Sequence, residues 1–328
     1  MLNTMKEIPF YHVKIQDDFW EHWIKVNSQV SVFHQLKELE KDYHIDNFRV
    51  AAGLKNGIHQ GEFYYDSDLY KWLEGACYIL KYYEENRNFD ILKQKVKEIA
   101  DFIEKSQLSD GYLNTFYSTK FLNRRFTNIL IFDELYCAGH LIEGAIAYEL
   151  TFKDNKLMRV AEKFVDLILN KFEDTYLAPG HQEIELALIK LGKLLKKNEY
   201  IELAKRFIDN RGKIPHYRTY ALQCILDMQK TLNKSKELSL NFQEKSADSE
   251  VAEFFQNLSL FDNLELLKQN LNGKMYQLNK QIIEAYKPVG HAVRAMYFYC
   301  GVADLYRETN DKKYLKSLKL LWLKMFKA

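Results

Sequence analysis

The sequence repeats a unit of two apolar helical segments separated by a short polar break, and this repeat constrains the fold more than any other feature. The periodicity predicts four pairs, with first helices over 69–82, 135–151, 183–195 and 291–308 and second helices over 90–105, 157–172, 200–209 and 314–325. Each first helix is apolar on nearly all sides, whereas each second helix carries more Lys and Glu, so we expect an inner and an outer layer. Such pairs must stack to bury their apolar faces. The pattern predicts an all-α barrel or toroid.

The N-terminal residues and residues 213–285 depart from this repeat. Residues 10–15 alternate as a short strand does, and a helix is predicted over 27–41. Residues 45–53 contain Asp, Asn and a terminal Gly and are interpreted as a loop. Residues 213–285 keep no steady period. We predict that 213–285 is a divergent or inserted hairpin and not a separate domain.

The balance of charge excludes some functions. Lys plus Arg number 47 and Asp plus Glu 45, so a net charge of +2 argues against a nucleic-acid partner. The sequence contains no run of about 18 apolar residues, so no membrane span is predicted. The N-terminus lacks the apolar core of a signal peptide. The four cysteines form no C-x-x-C pair and are interpreted as buried free thiols. These features favour a cytoplasmic protein.

Acidic residues, histidines and one arginine lie close together in the sequence where the first helices begin. They are Asp66 and Asp68, Glu134 and His140, His181 and Glu183, and His291 and Arg294. Four helices that carry such groups at the same end predict one polar site at that end of the ring. A single histidine there is more often structural, but three at matching helix starts favour a ligand site. For Asp68, capping of its helix is an equally good interpretation.

Several of these motifs, taken in order, resemble one family. They are Tyr65–Glu74, Asp110–Thr115, Glu134–Glu143, Pro179–Leu188 and Gly290–Tyr297, together with Ile45–Arg49. Between about Pro9 and Leu323 the chain resembles the N-terminal part of glycoside hydrolase family 127, the β-L-arabinofuranosidase family; at Asp133 the family often has His. The resemblance implies an (α/α)6 barrel with a sugar pocket at one end. It implies that His140, His181 and His291 line the pocket, with these neighbours: Tyr65, Asp66, Asp68, Glu134 and Glu183.

The resemblance also implies a catalytic centre that this sequence does not match. Members resemble retaining glycosidases whose nucleophile is a cysteine thiolate held on zinc by a Glu-x-Cys and two adjacent cysteines, with a further Glu as acid and base. The sequence contains no Cys-Cys and no Glu-x-Cys after His291. We therefore expect 1–328 to be one barrel-type domain, truncated relative to the family and with an incomplete ring. Its catalytic residues stay unassigned, and zinc is expected only in full-length members.

Three functions stay open at this point. The chain is a glycosidase for a furanosidic sugar such as an L-arabinofuranoside, with Asp66 and either Glu134 or Glu183 as acid and base. Or it is an inactive relative that binds carbohydrate or a protein partner. Or it is a sugar epimerase or lyase with a histidine base. An incomplete ring exposes apolar surface, which predicts self-association through the open seam unless 213–285 covers it.

Overall fold

The computed structural model describes residues 8–84, 89–241 and 260–326. Within these ranges the chain is helical and forms no strand. The helices are α1 (Trp20–Val26), α2 (Val32–Lys41), α3 (His44–Ala51), α4 (Tyr65–Tyr82), α5 (Asp90–Ser106), α6 (Thr115–Lys120), α7 (Glu134–Phe152), α8 (Lys156–Phe172), α9 (Ile184–Leu195), α10 (Asn198–Asn210), α11 (Tyr217–Asn241), α12 (Leu260–Leu271), α13 (Ala292–Thr309) and α14 (Lys312–Met325). A π-helical stretch, Asn27–Ser31, joins α1 to α2. None of the described helices is long and apolar enough to cross a bilayer.

The helices stack as an inner and an outer layer. The inner helices α4, α7, α9 and α13 pack on one another in chain order, and each packs on its outer partner α5, α8, α10 or α14. Helix α7 is the most enclosed, because every residue from Glu134 to Ala145 is buried. Helix α8 buries only the stripe that includes Leu157, Phe164 and Ile168. The predicted all-α, toroid-type stacking of helical hairpins is confirmed.

Two local predictions near the N-terminus are wrong. Residues 10–15 form no strand, since a short 3-10 turn spans Phe10–His12. Residues 45–53 are not a loop, because α3 covers most of them. Ile45 and Phe48 are buried one turn apart on α3. Asn47 is not a turn residue. Its side-chain amide donates to the carbonyl oxygen of Gln60 at 2.9 Å and accepts the backbone N–H of Gln60 at 2.8 Å.

The start of α4 also differs from the prediction. Asp68 does not cap the helix, because α4 begins at Tyr65 and Asp68 lies at the end of its first turn. No side chain caps this end of α4. The carboxylate of Asp66 binds Thr115, the first residue of α6. The carboxylate of Asp68, the residue predicted as the cap, instead lies 3.4 Å from Nε2 of His44 and 3.3 Å from Nζ of Lys71.

The described part of 213–285 contains α11 and α12, which pack against each other. Asn128 connects α11 to the rest of the chain, because its side-chain amide donates to the carbonyl of Cys224 at 2.9 Å. The polar segment 244–250 and the apolar positions Phe254, Phe255 and Leu258 lie outside the described residues. The single-domain interpretation stays a prediction.

Three of the four cysteines fit the prediction of buried thiols, and one does not. Cys77, Cys137 and Cys224 are buried free thiols, whereas Cys300 is exposed. Cys300 lies in the middle of α13, on a side of that helix that no described neighbour covers fully. The helical periodicity does not indicate that this side of an inner helix is open.

The last helix pair leaves apolar side chains exposed. Leu320, Trp322 and Leu323 of α14 are among them, at 38%, 61% and 54% exposure. This surface is consistent with the expected self-association, which stays a prediction.

Replacing Gly139 tests how closely the inner helices approach. A Cβ at Gly139 would lie 2.6 Å from Cγ of Glu183 and 2.9 Å from the backbone N of Ile184, whereas one at Gly75 would meet nothing within 4 Å. We expect Gly139→Ala to lower the free energy of unfolding by about 1–3 kcal/mol. The exposed control Gly75→Ala is expected to raise it by up to about 1 kcal/mol, because Ala favours the helix. Urea unfolding followed by circular dichroism measures both, and equal effects of the two variants would contradict this packing.

Candidate functional site

Five aromatic side chains from three inner helices and their entry loops form one group, which we call the histidine cluster. Its members are Tyr136, His140, His181, His291 and Tyr297. The ring centroid of Tyr136 lies 3.8 Å from that of His181 and 4.6 Å from that of His140. His181 lies 6.4 Å from His291, and Tyr297 lies 5.8 Å from His140. The structure thus brings the three predicted histidines together.

The prediction of site residues omitted the two tyrosines of the cluster. Tyr136 stands one helical turn before His140 on α7, so the two rings project from the same face. That i, i+4 spacing was readable from the sequence. The place of Tyr297 depends on how α13 packs against α9, and no local pattern reveals it.

His140 is a buried histidine whose hydrogen-bonding capacity is unused. It is 4% exposed, and neither ring nitrogen has a hydrogen-bond partner among the described residues. Burial, helped by the positive charge of Lys71, lowers the pKa of His140 to about 3. The ring is therefore neutral, with one donor and one acceptor. Buried polar atoms normally find partners, so an unpaired pair of nitrogens facing a cluster indicates a place for a ligand or water.

His181 and His291 present complementary hydrogen-bonding atoms. Nδ1 of His181 lies 3.0 Å from the carbonyl oxygen of Gln182, which assigns the proton to Nδ1 and leaves Nε2 as an acceptor. Nδ1 of His291 accepts the backbone N–H of Arg294 at 3.4 Å, so in the neutral ring Nε2 carries the proton. Burial, with Arg294 nearby, lowers the pKa of His181 to about 2 and also lowers that of His291. The cluster is uncharged at neutral pH.

Glu183 is the predicted carboxyl group that lies beside the cluster. It is 2% exposed, and its Oε1 lies 3.8 Å from Nδ1 of His140. No described residue hydrogen-bonds to its Oε2. Burial, reinforced by the negative charges of Glu143 and Glu74, raises the pKa of Glu183 to about 9. Glu183 is therefore protonated at neutral pH and can donate a hydrogen bond.

Asp66 and Glu134 make other contacts. Asp66 accepts the N–H of Thr115 at 2.7 Å and also the hydroxyl of that residue. Glu134 accepts the hydroxyl of Tyr112 and the N–H of Phe126, the latter at 2.9 Å. Burial raises the pKa of Asp66 to about 6 and that of Glu134 to about 8, although these hydrogen bonds oppose the shift. These hydrogen bonds connect the start of α4 to that of α6 and the start of α7 to the segments that carry Tyr112 and Phe126.

Tyr65 and Asp68 lie at the edge of the cluster. The ring of His44 stacks on Tyr65 with centroids 3.8 Å apart, and its Nε2 is 3.4 Å from Oδ2 of Asp68. Lys71 connects Asp68 to the histidine cluster, because its Nζ is 3.3 Å from Oδ1 of Asp68 and 4.9 Å from the ring centroid of Tyr136. Burial opposes ionisation of Asp68, but His44 and Lys71 outweigh it and lower its pKa. Neither His44 nor Lys71 is among the site residues predicted from the sequence.

The thiols and acids of the described residues do not fit a zinc site. No group of three or more His, Cys, Asp or Glu side chains in residues 8–84, 89–241 and 260–326 is arranged to hold a metal ion. Burial raises the pKa of Cys77 and that of Cys137, which disfavours the thiolate that zinc binds. The expectation that this chain holds no zinc stays a prediction.

Comparisons with known proteins give a consistent picture. The family model described as "Beta-L-arabinofuranosidase, GH127 catalytic domain" matches residues 12–328. A non-reducing end β-L-arabinofuranosidase of Bifidobacterium longum subsp. longum is 31% identical over 290 residues. That alignment covers 86% of this chain and 38% of the relative.

Solved structures of the same family share the fold. One is Ara127N-Se, a GH127 β-L-arabinofuranosidase from Geobacillus stearothermophilus T6, with a TM-score of 0.74 and 29% identity over 95% of this chain and 45% of that one. Another, a GH127 β-arabinofuranosidase, has a TM-score of 0.72 at 24% identity over 97% of this chain and 43% of that one. The chain thus spans less than half the length of these relatives.

The protonation of Glu183 predicts a pH dependence of stability. Because its pKa is raised from 4.5 to about 9, the folded state holds a proton that the unfolded state releases, so stability falls as the pH rises between these values. Glu183→Gln mimics the protonated form and removes this titration. Over this pH range we expect the free energy of unfolding to fall more in the unmodified protein than in the variant. The difference between the two decreases is expected to exceed about 1 kcal/mol.

Urea unfolding at a series of pH values measures this difference. The exposed Glu173 supplies the control, and Glu173→Gln is expected to keep the pH dependence of the unmodified protein. A Glu183→Gln variant with that same pH dependence would show that Glu183 is ionised in the folded state.

Proposed function

The chain belongs to glycoside hydrolase family 127, and on this basis we propose that it recognises a β-L-arabinofuranosidic carbohydrate and binds the sugar at the histidine cluster. The substrate class comes from the activity named for its relatives. The location is proposed from one observation on this chain: the two ring nitrogens of His140 are buried and unpaired within the described residues, beside Tyr297, whose ring also lies near that of His181.

The chemistry of the cluster suits a neutral sugar. A furanoside carries hydroxyl groups that both donate and accept hydrogen bonds, and it carries no charge. The cluster offers the acceptor Nε2 of His181, the donor Nε2 of His291 and one of each on His140. The rings of Tyr136 and Tyr297 add flat apolar surface against which the C–H face of a sugar can pack.

We assign binding and orientation of the sugar to this chain and assign no bond-breaking step to its residues. Two of the three carboxyl groups predicted as acid and base are hydrogen-bonded within the fold. Asp66 accepts hydrogen bonds from Thr115, and Glu134 accepts them from Tyr112 and Phe126. Glu183 is left beside His140 as a protonated donor to a sugar oxygen. The family's zinc-held thiolate is not built from the described residues.

Replacing His140 tests this proposal. We expect His140→Ala and His181→Ala each to raise the Kd for methyl β-L-arabinofuranoside at least about tenfold, because each removes hydrogen bonds to a bound neutral ligand. His34→Ala, which removes an exposed histidine of α2, is the matched control and is expected to keep the original Kd. Isothermal titration calorimetry measures the three values.

A hydrolysis assay on 4-nitrophenyl β-L-arabinofuranoside runs beside the titration. Binding without cleavage would favour the carbohydrate-binding alternative, in which this chain alone is inactive. Unchanged sugar affinity in both histidine variants, with their folding verified by circular dichroism, would place the sugar elsewhere.

A further inference from the structure

Arg211 is a fully buried arginine outside the histidine cluster. It directly follows α10, an outer helix, and is 0% exposed. A buried guanidinium is costly unless its N–H groups are paired, so its partners show what the fold gains by keeping it there.

The guanidinium of Arg211 donates hydrogen bonds to three segments and lies against a fourth. Its Nη1 donates to the carbonyl oxygen of Tyr276 at 2.9 Å. Its Nη2 donates to the carbonyl oxygen of Pro179 at 2.9 Å and to Oε1 of Glu185 at 2.7 Å. Its central carbon also lies 4.9 Å from the ring centroid of Phe298, on α13. Arg211 thus connects the loop before α9, α9 itself, the segment before α13, and α13.

The first hydrogen-bonded path from Arg211 leads to the loop of His181. Pro179 is two residues before His181. Glu185, the salt-bridge partner of Arg211, also accepts the backbone N–H of Glu183 through Oε2 at 3.3 Å. The loop that carries His181 is therefore held on both sides by groups bonded to Arg211.

The second path leads to His291. Gln182 donates to the same carbonyl oxygen of Tyr276 at 3.0 Å and to Oε1 of Gln277 at 2.8 Å. Gln277 in turn donates to the carbonyl oxygens of Val289, at 2.8 Å, and His291, at 3.4 Å. Gln182 and Gln277 are both buried, so these bonds are shielded from water.

Both histidines stand outside regular helix and depend on these bonds for their position. His181 lies in the loop before α9, and His291 is the residue that precedes α13. A planar guanidinium donates in several fixed directions, whereas the ammonium group of Lys is a compact point charge. Only Arg at this position satisfies a carboxylate and two carbonyl groups from different segments with one rigid group.

We propose that Arg211 is a positioning residue that fixes the spacing between His181 and His291 and thereby the affinity of the cluster for its ligand, without touching that ligand. The part that concerns a sugar ligand rests on the proposed function. The part that concerns the two histidines does not.

The test compares Arg211→Lys with Arg124→Lys in the full chain. Arg124 provides a matched control because it also pairs with an acid, Asp227, and donates to a second side chain, Thr231 at 2.7 Å. The first measurement is the ring 13C resonances of the nine histidines, assigned with single His→Gln variants. We expect Arg211→Lys to shift the resonances of His181 and His291 and to leave those of His34 and His59 unchanged, whereas Arg124→Lys shifts neither pair.

The second measurement is the Kd for methyl β-L-arabinofuranoside. We expect Arg211→Lys to raise it about tenfold or more, because small displacements of positioning groups weaken binding and catalysis strongly, and Arg124→Lys to leave it unchanged. If the unmodified protein does not bind this sugar, the proposed function fails, and the resonances alone decide the role of Arg211.

Arg211→Met combined with Glu185→Gln removes both charges together, so it leaves no unpaired buried ion and serves as a second variant. It is expected to shift the same two histidines. Three outcomes would overturn the proposal. Unchanged resonances of His181 and His291 would show that Arg211 does not position them. A uniform shift of all the histidines, or a failure of both Arg211 variants to fold, would give Arg211 a role in general stability only.

Discussion

The packing of α7 between α4 and α9 is the constraint on which the rest of the structure depends. Because α7 is enclosed on all sides, the polar groups at its start are buried as well. Gly139 lets the start of α9 come so close that Glu183 lies against the backbone of α7, and His140 follows directly in the chain. The site is thus a consequence of how apolar helices stack, with polar residues placed at the end where they meet.

Burial then decides the charges of the site. It lowers the pKa of His140 and His181 and raises the pKa of Glu183, so all three are neutral at neutral pH. Neutral groups cost less to bury than ions, and they keep both donors and acceptors available. Charge remains at the edge, where Asp68 is paired with Lys71. A neutral interior with a charged edge suits recognition of an uncharged ligand with many hydroxyl groups.

Much of the fold was predictable from the sequence, because the helical period is a local property. The inner helices and the three histidines at their starts follow from it. What failed depended on contacts between distant segments. Asn47 pairs with the backbone of Gln60, so a turn-like sequence becomes part of α3, and Asp68 pairs with His44 instead of capping α4. Arg211 gave no signal in the sequence, since its partners are mostly backbone carbonyls that meet only in the folded chain.

In the proposed function the sugar is received by three neutral histidines, one on α7 and two in the segments that precede α9 and α13. The most direct test is a titration of protein labelled with 13C in its histidine rings with methyl β-L-arabinofuranoside at neutral pH. We expect the resonances of His140, His181 and His291 to shift together and to give one common Kd, while those of the exposed His22 and His34 stay in place. Saturable binding that leaves these three resonances unmoved would contradict it.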